Sequence, residues 1–269
     1  TSSPEKRPPS TFSHFESANN KTGKLKLPKL PIRRPTLFPL TYFHMNSEAP
    51  TLDPPGSIAI VGAGPLGVEA ALYGRFLGYN VTLIEAAGIG HSLRVHYESP
   101  LPIMPHECLS PLAISALHAQ DPAILSQTLP MTYQDWVEKA LKGIVAGDLL
   151  EGRLRCPSRV TQISTVPVEL DEEDSEDDDP IPPDFRLELT SVYGQADPLD
   201  SEAVILAIGK SAEIPLDFSL PADYFFRIGQ SPTGDLAEDI KQGRQQIVEL
   251  FAGLAGRETL DLYRPRRSE

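Results

Sequence analysis

Three glycines and one glutamate carry the chemistry that stands out in this sequence. Gly62, Gly64 and Gly67 follow the spacing G-x-G-x-x-G, and Glu85 lies 23 residues after Gly62. Glycine at the first position permits a tight turn. At the second, no side chain blocks a pyrophosphate, and at the third the next helix can pack close to the preceding strand. Ala63, Pro65 and Leu66 complete the loop and join the candidate contacts. A carboxylate placed as Glu85 is can accept both hydrogen bonds from a ribose diol. A helix starting in this loop would turn unpaired N–H groups and its positive dipole end toward phosphates.

Such a loop needs particular elements around it, and the sequence supplies them. The apolar run 58–61 has the length of a buried parallel strand. Leu66, Ala70, Ala71, Tyr73 and Leu77 then form a helical apolar face, with Gly78 as its stop. A second buried strand spans 81–84, and Glu85 closes it. Strand, glycine loop, helix, strand and acid together predict dinucleotide binding. The bland alternative, a β-α-β unit whose glycine-rich turn binds nothing, must explain why three glycines and an acid coincide.

A length of 269 residues allows one or two domains and a sizeable core. The net charge of −13 argues against nucleic acid or an anionic membrane as partner of the folded part. The two cysteines, Cys108 and Cys156, form no C-x-x-C, so no dithiol redox centre is expected, and a reducing cytoplasm suits them. No run of about 18 apolar residues predicts a membrane span, and no secretory signal is apparent. The expected division is a disordered, basic, proline-rich arm over 1–55 and a nucleotide-binding domain over 56–269. Residues 1–44 hold eight Lys or Arg and two acids, a composition that resists packing. The arm reads either as a basic tether or as an extension without a role.

Beyond Glu85 the signals thin out. Residues 86–130 are punctuated by Pro100, Pro102, Pro105 and Pro111, too irregular for a long helix. The loop after the second strand should pass near a bound cofactor, which makes Arg94 a candidate contact. His91, His96 and His106 fit no metal spacing, so no metal is expected. Cys108 reads as a buried apolar residue. Thr132 predicts an N-cap with Asp135 three residues on, and Trp136, Val137, Ala140, Leu141, Ile144 and Val145 predict the apolar stripe of a helix. Alternation predicts strands over 159–168 and 185–192. Between them, residues 169–179 include nine acids, so 169–183 is expected to be a solvated, disordered loop. A buried strand ends at Gly209, a short strand covers 226–229, and a helix follows from Leu236. That last corner also reads as anion-friendly.

This order of parts resembles the FAD-binding portion of the two-dinucleotide-domain flavoproteins, which include pyridine-nucleotide oxidoreductases and flavin-dependent monooxygenases. The resemblance rests on 62–67 with Glu85, on the strand ending Leu206-Ala207-Ile208-Gly209, and on Ile228-Gly229 with its helix. It implies an α/β, Rossmann-like FAD/NAD(P)-binding domain with a parallel sheet and a β-hairpin (meander) insertion. It also implies cofactor contacts at Ala207, Gly209 and Gly229, and adenine near the backbone of Val160. Ile208 stands where the family has threonine. No second G-x-G-x-x-G is present, and fourteen residues between Gly209 and Tyr224 are too few for a β-α-β crossover of roughly 30 residues.

Three functions follow. One is a FAD-dependent oxidoreductase, a monooxygenase-like one among the options, acting on a small-molecule substrate. Its electrons would come from free NAD(P)H or a reductase partner, and no catalytic residue is assigned because the flavin would carry the chemistry. Another is a flavin-binding protein without catalysis. The third is a single-domain NAD-dependent dehydrogenase, Glu85 disfavouring a 2′-phosphate.

Overall fold

A computed structural model describes residues 51–120, 132–166, 184–192, 194–210 and 213–264. Of the two segments expected to be disordered, residues 1–50 of the 1–55 arm and the whole of 169–183 lie outside that set. The first strand, β1 (Ser57–Val61), leads into helix α1 (Pro65–Leu77) and strand β2 (Asn80–Ile84). Gly78 closes α1 in the left-handed conformation, its N–H reaching back to the last turn.

After β2 the chain forms a 3₁₀ turn (His91–His96) and two helices, α2 (Pro105–Cys108) and α3 (Pro111–Gln120). The ten-residue α3 departs from the expected irregularity. Its proline starts it rather than breaking it, because a first-turn proline sacrifices no helical hydrogen bond. The expected amphipathic helix begins as α4 (Tyr133–Asp135), widens into a π-helical stretch (Trp136–Leu141) and ends as α5 (Lys142–Ala146). Thr132 caps it by accepting the Asp135 N–H at 3.1 Å, and Trp136 is buried.

Strands β3 (Leu154–Arg155), β4 (Arg159–Val166), β5 (Asp184–Ser191), β6 (Gly194–Ser201), β7 (Ala203–Leu206) and β8 (Phe225–Arg227) follow, with helix α6 (Leu236–Leu254) last. Five strands form one parallel sheet in the order β3-β2-β1-β7-β8. β1 lies at its centre, Ile60 facing Leu83 on one side and Ile205 on the other. Every residue of β7 is buried, which explains its unbroken apolar run. Because all five strands run parallel, the loops after β1, β2, β7 and β8 leave the sheet at one edge. The fold class is therefore the expected Rossmann-like α/β arrangement.

The insertion is a separate antiparallel sheet, β4-β5-β6. Its third strand is hidden in the sequence because Gly-Gln-Ala-Asp-Pro-Leu-Asp-Ser has little strand propensity. Pairing with β5 supplies what propensity does not, Leu199 lying opposite Leu187. Packing also reaches back before β1. Leu52 is buried and its N–H donates to the Leu254 carbonyl at 2.9 Å, while the Tyr79 hydroxyl donates to the Leu52 carbonyl at 2.8 Å.

Candidate dinucleotide site

The glycine loop begins where β1 ends. Gly62 has φ +104°, and a Cβ there would lie 2.7 Å from the Ala207 carbonyl oxygen. Its N–H donates to the Ile84 carbonyl at 2.8 Å, so the turn is stitched across to β2. A Cβ on Gly67 would collide with the Gly62 carbonyl, so this position is fixed by contact between helix and loop. Gly64 is different: a Cβ there would meet nothing within 4 Å. Gly64 is the N-cap of α1, Pro65 starts the helix, no side chain caps it, and its first turn holds no acid. Leu66 packs beneath, against Gly229 and Gly243, where added Cβ atoms would press on its methyl groups.

Glu85 faces this loop. Its Oε2 accepts the Ala63 N–H at 2.8 Å, and its Oε1 accepts the Ala87 and Gly88 N–H groups at 2.9 and 3.3 Å. Three backbone amides therefore hold a half-buried carboxylate in one orientation. Gly90 N–H donates to the Ala63 carbonyl at 2.8 Å, tying the two loops together. Arg94 is exposed on the 3₁₀ turn, its guanidinium 3.5 Å from where a Cβ on Gly88 would sit. The structure thus gathers 62–67, Glu85 and Arg94 at one edge of the sheet.

The remaining sequence candidates are placed less uniformly. Ala207 N–H donates to the Val61 carbonyl at 2.8 Å, and Gly209 has φ +63° with open space around its Cβ position. Gly229 has φ +67°, but its N–H donates to Gln246 Oε1 at 2.9 Å and is already used. The Val160 side chain is buried in the core on β4, opposite Leu189, so a ligand could meet only its backbone. The corner before α6 is not anion-friendly. Asp235 caps that helix by accepting from the Ala237 and Glu238 N–H groups, and Glu238 and Asp239 stand in its first turn. The chain's own carboxylates fill the place an anion would take.

One polar cluster escapes the sequence reading. Glu69 on α1 is 6% exposed and accepts from the Ser110 N–H at 3.2 Å, the Ser110 hydroxyl at 2.8 Å and the Tyr263 hydroxyl at 3.3 Å. Arg244 on α6 lies 3.8 Å away. Burial pushes the Glu69 carboxyl up, against the opposing pull of Arg244 and the hydrogen bonds. The signal available was a glutamate in a run of small apolar residues, Val68 to Ala71 in α1.

Cys108 is buried as expected, and burial pushes its thiol up to about 11. Cys156 is exposed, its thiol raised by burial first and then by the Glu85 charge. Among the described residues no group of three His, Cys, Asp or Glu could hold a metal, and no helix is long and apolar enough to cross a membrane.

Fold and loop geometry define a Rossmann-like α/β chain with one glycine-loop edge. No family model matches the sequence, and no curated protein matches it. Solved structures do. Bacillithiol disulfide reductase from Bacillus cereus is similar at 17% identity and TM-score 0.41, over 57% of this chain and 40% of its own. Reduced ornithine hydroxylase from Pseudomonas aeruginosa is similar at 18% identity and TM-score 0.41, over 60% and 40%. An oxidized steroid monooxygenase bound to NADP is similar at 20% identity and TM-score 0.37, over 57% and 26%. The chain spans two fifths or less of the length of these proteins.

Proposed function

We propose that this chain binds FAD at the 62–67 loop and Glu85 and serves as the flavin-holding part of an oxidoreductase. The observation that carries the reading is the pairing of open space at Gly64 with an oriented carboxylate at Glu85. An uncapped helix start favours a pyrophosphate, and the carboxylate favours a ribose diol. Ala63, Pro65, Leu66 and Arg94 would line the same edge, with Gly209 and the Gly229 loop nearer the flavin. The substrate would be a small molecule, and reductant would arrive as free NAD(P)H or through a reductase partner.

A second reading, a flavin holder without turnover, draws on the connection between β7 and β8. It covers only residues 207–224, too few for a β-α-β crossover of roughly 30 residues, and the described ones among them form no helix. The visible spectrum after FAD reconstitution, followed by anaerobic NADPH, separates the readings. Two flavin bands that bleach support the oxidoreductase. Bands that persist with NADPH and NADH support the holder. A protein colourless after reconstitution would sink both.

A further inference from the structure

We propose that the cavity beside the C-terminal ends of β7 and β8 binds a small organic anion with an apolar body. The cavity holds about 480 Å³, within the roughly 300–1,000 Å³ of small-molecule sites. Its apolar wall is Leu206, Ile208, Ile214 and Leu216. Lys210, Arg227 and Gln230 bring donors to the same space, and Glu213 is the one acid lining it. In a chain of net charge −13, an excess of cations around an apolar wall stands out. Among the described residues neither Lys210 nor Arg227 has an ion-pair partner.

The frame of the cavity is built, not incidental. Leu206 and Arg227 are register partners on β7 and β8, so wall and cation come from adjacent strands. The Arg227 guanidinium lies 5.8 Å from the centre of the Phe225 ring, which supports it from one side. Gln230 Nε2 donates to the Gly209 carbonyl at 3.2 Å, joining the two loops. The far wall is anchored to β4, because Ile163 N–H donates to the Pro215 carbonyl at 3.0 Å and Asp217 N–H donates to the Ile163 carbonyl at 3.2 Å. An anion gains from two cations, and an apolar body gains from four aliphatic side chains. A cationic ligand would gain only at Glu213.

The cavity shares Gly209 and the loop after β8 with the flavin reading, but benzoate binding to the bare chain does not depend on that reading. That the ligand would be a substrate rests on that reading, through Gly209, which lines the cavity.

The test uses the whole chain and benzoate, followed by ligand-observed NMR titration, with benzyl alcohol as the neutral analogue and acetate as the anion without an apolar body. Benzoate should bind at least tenfold more tightly than either. Arg227→Gln and Lys210→Gln should each weaken benzoate about tenfold, while Glu213→Gln should tighten it severalfold. Opposite signs at neighbouring positions would not arise from a general loss of folding, and unchanged unfolding midpoints would exclude one. Equal binding of benzoate and benzyl alcohol, or benzoate binding unaffected by Arg227→Gln and Lys210→Gln, would overturn the proposal. A chain that stays colourless with FAD yet binds benzoate through Arg227 would sink the flavin reading and leave this site standing.

Discussion

Two helices begin beyond the same edge of the parallel sheet, and their starts are finished in opposite ways. Helix α6 is sealed by its own chain: Asp235 accepts from two of its first amides and two further acids follow. Helix α1 carries no capping side chain and no acid in its first turn, and Gly64 leaves open space in front of it. The first amides of any helix lack intrahelical acceptors. A helix that satisfies them internally has no call for a ligand. One that leaves them bare beside a glycine and an oriented carboxylate is shaped for something from outside. The lesson is that strand-loop-helix corners divide by how their amides are satisfied, not by their outline.

Substitutions can break or sharpen this contrast. The largest effect should come from Gly67→Ala, whose methyl has no room against the Gly62 carbonyl. A loss of about 3 kcal/mol or more in urea unfolding is expected, since backbone must move. Gly64→Val should do the reverse. Stability should change by less than about 1 kcal/mol, while FAD affinity falls roughly 100-fold or more. A Gly64→Val variant that keeps stoichiometric flavin would show that the open start of α1 is not the cofactor site.

The buried flank of α1 gives a third, pH-dependent test. Burial raises the Glu69 pKa, so the folded chain keeps this proton where the unfolded chain has released it. Stability should therefore fall as pH rises from the ordinary glutamate range through the raised value. The slope from one proton is at most about 1.4 kcal/mol per pH unit. Glu69→Gln removes this titration, and parallel unfolding profiles for variant and wild type would refute the assignment. The smallest effect should come from Asp235→Ala. Loss of the cap should cost about 1 kcal/mol and leave flavin content unchanged. A marked loss of flavin would erase the distinction between the two helix starts.

What the sequence reveals depends on how far each signal reaches. The β1-α1-β2 unit is legible because its strand runs, glycines and Glu85 all fall within residues 57–85. Thr132 is legible for the same reason, as its cap bond spans three residues. Helix α3 is obscured because Pro111 reads as a break when it is a start. Strand β6 is obscured because pairing with β5, not its own composition, holds it. At α6 the capping signal of Asp235 is present in the sequence, but which acceptor occupies the first amides is a matter of geometry. The Glu69 cluster is out of reach because its partners Ser110 and Tyr263 lie 41 and 194 residues along the chain.

Leu66 gives the glycine loop a mechanical connection. Its methyl groups fill the space that side chains on Gly229 and Gly243 would occupy, so one leucine wedges the first turn of α1 against both the loop after β8 and the flank of α6. Close-packed contacts of this kind transmit displacement because they have no slack to absorb it. A tilt of α1 on filling the space before Gly64 would be passed through Leu66 to Gly229 and on to Gln246, which holds the Gly229 amide. The two loops would then report occupancy to each other over the width of a single side chain.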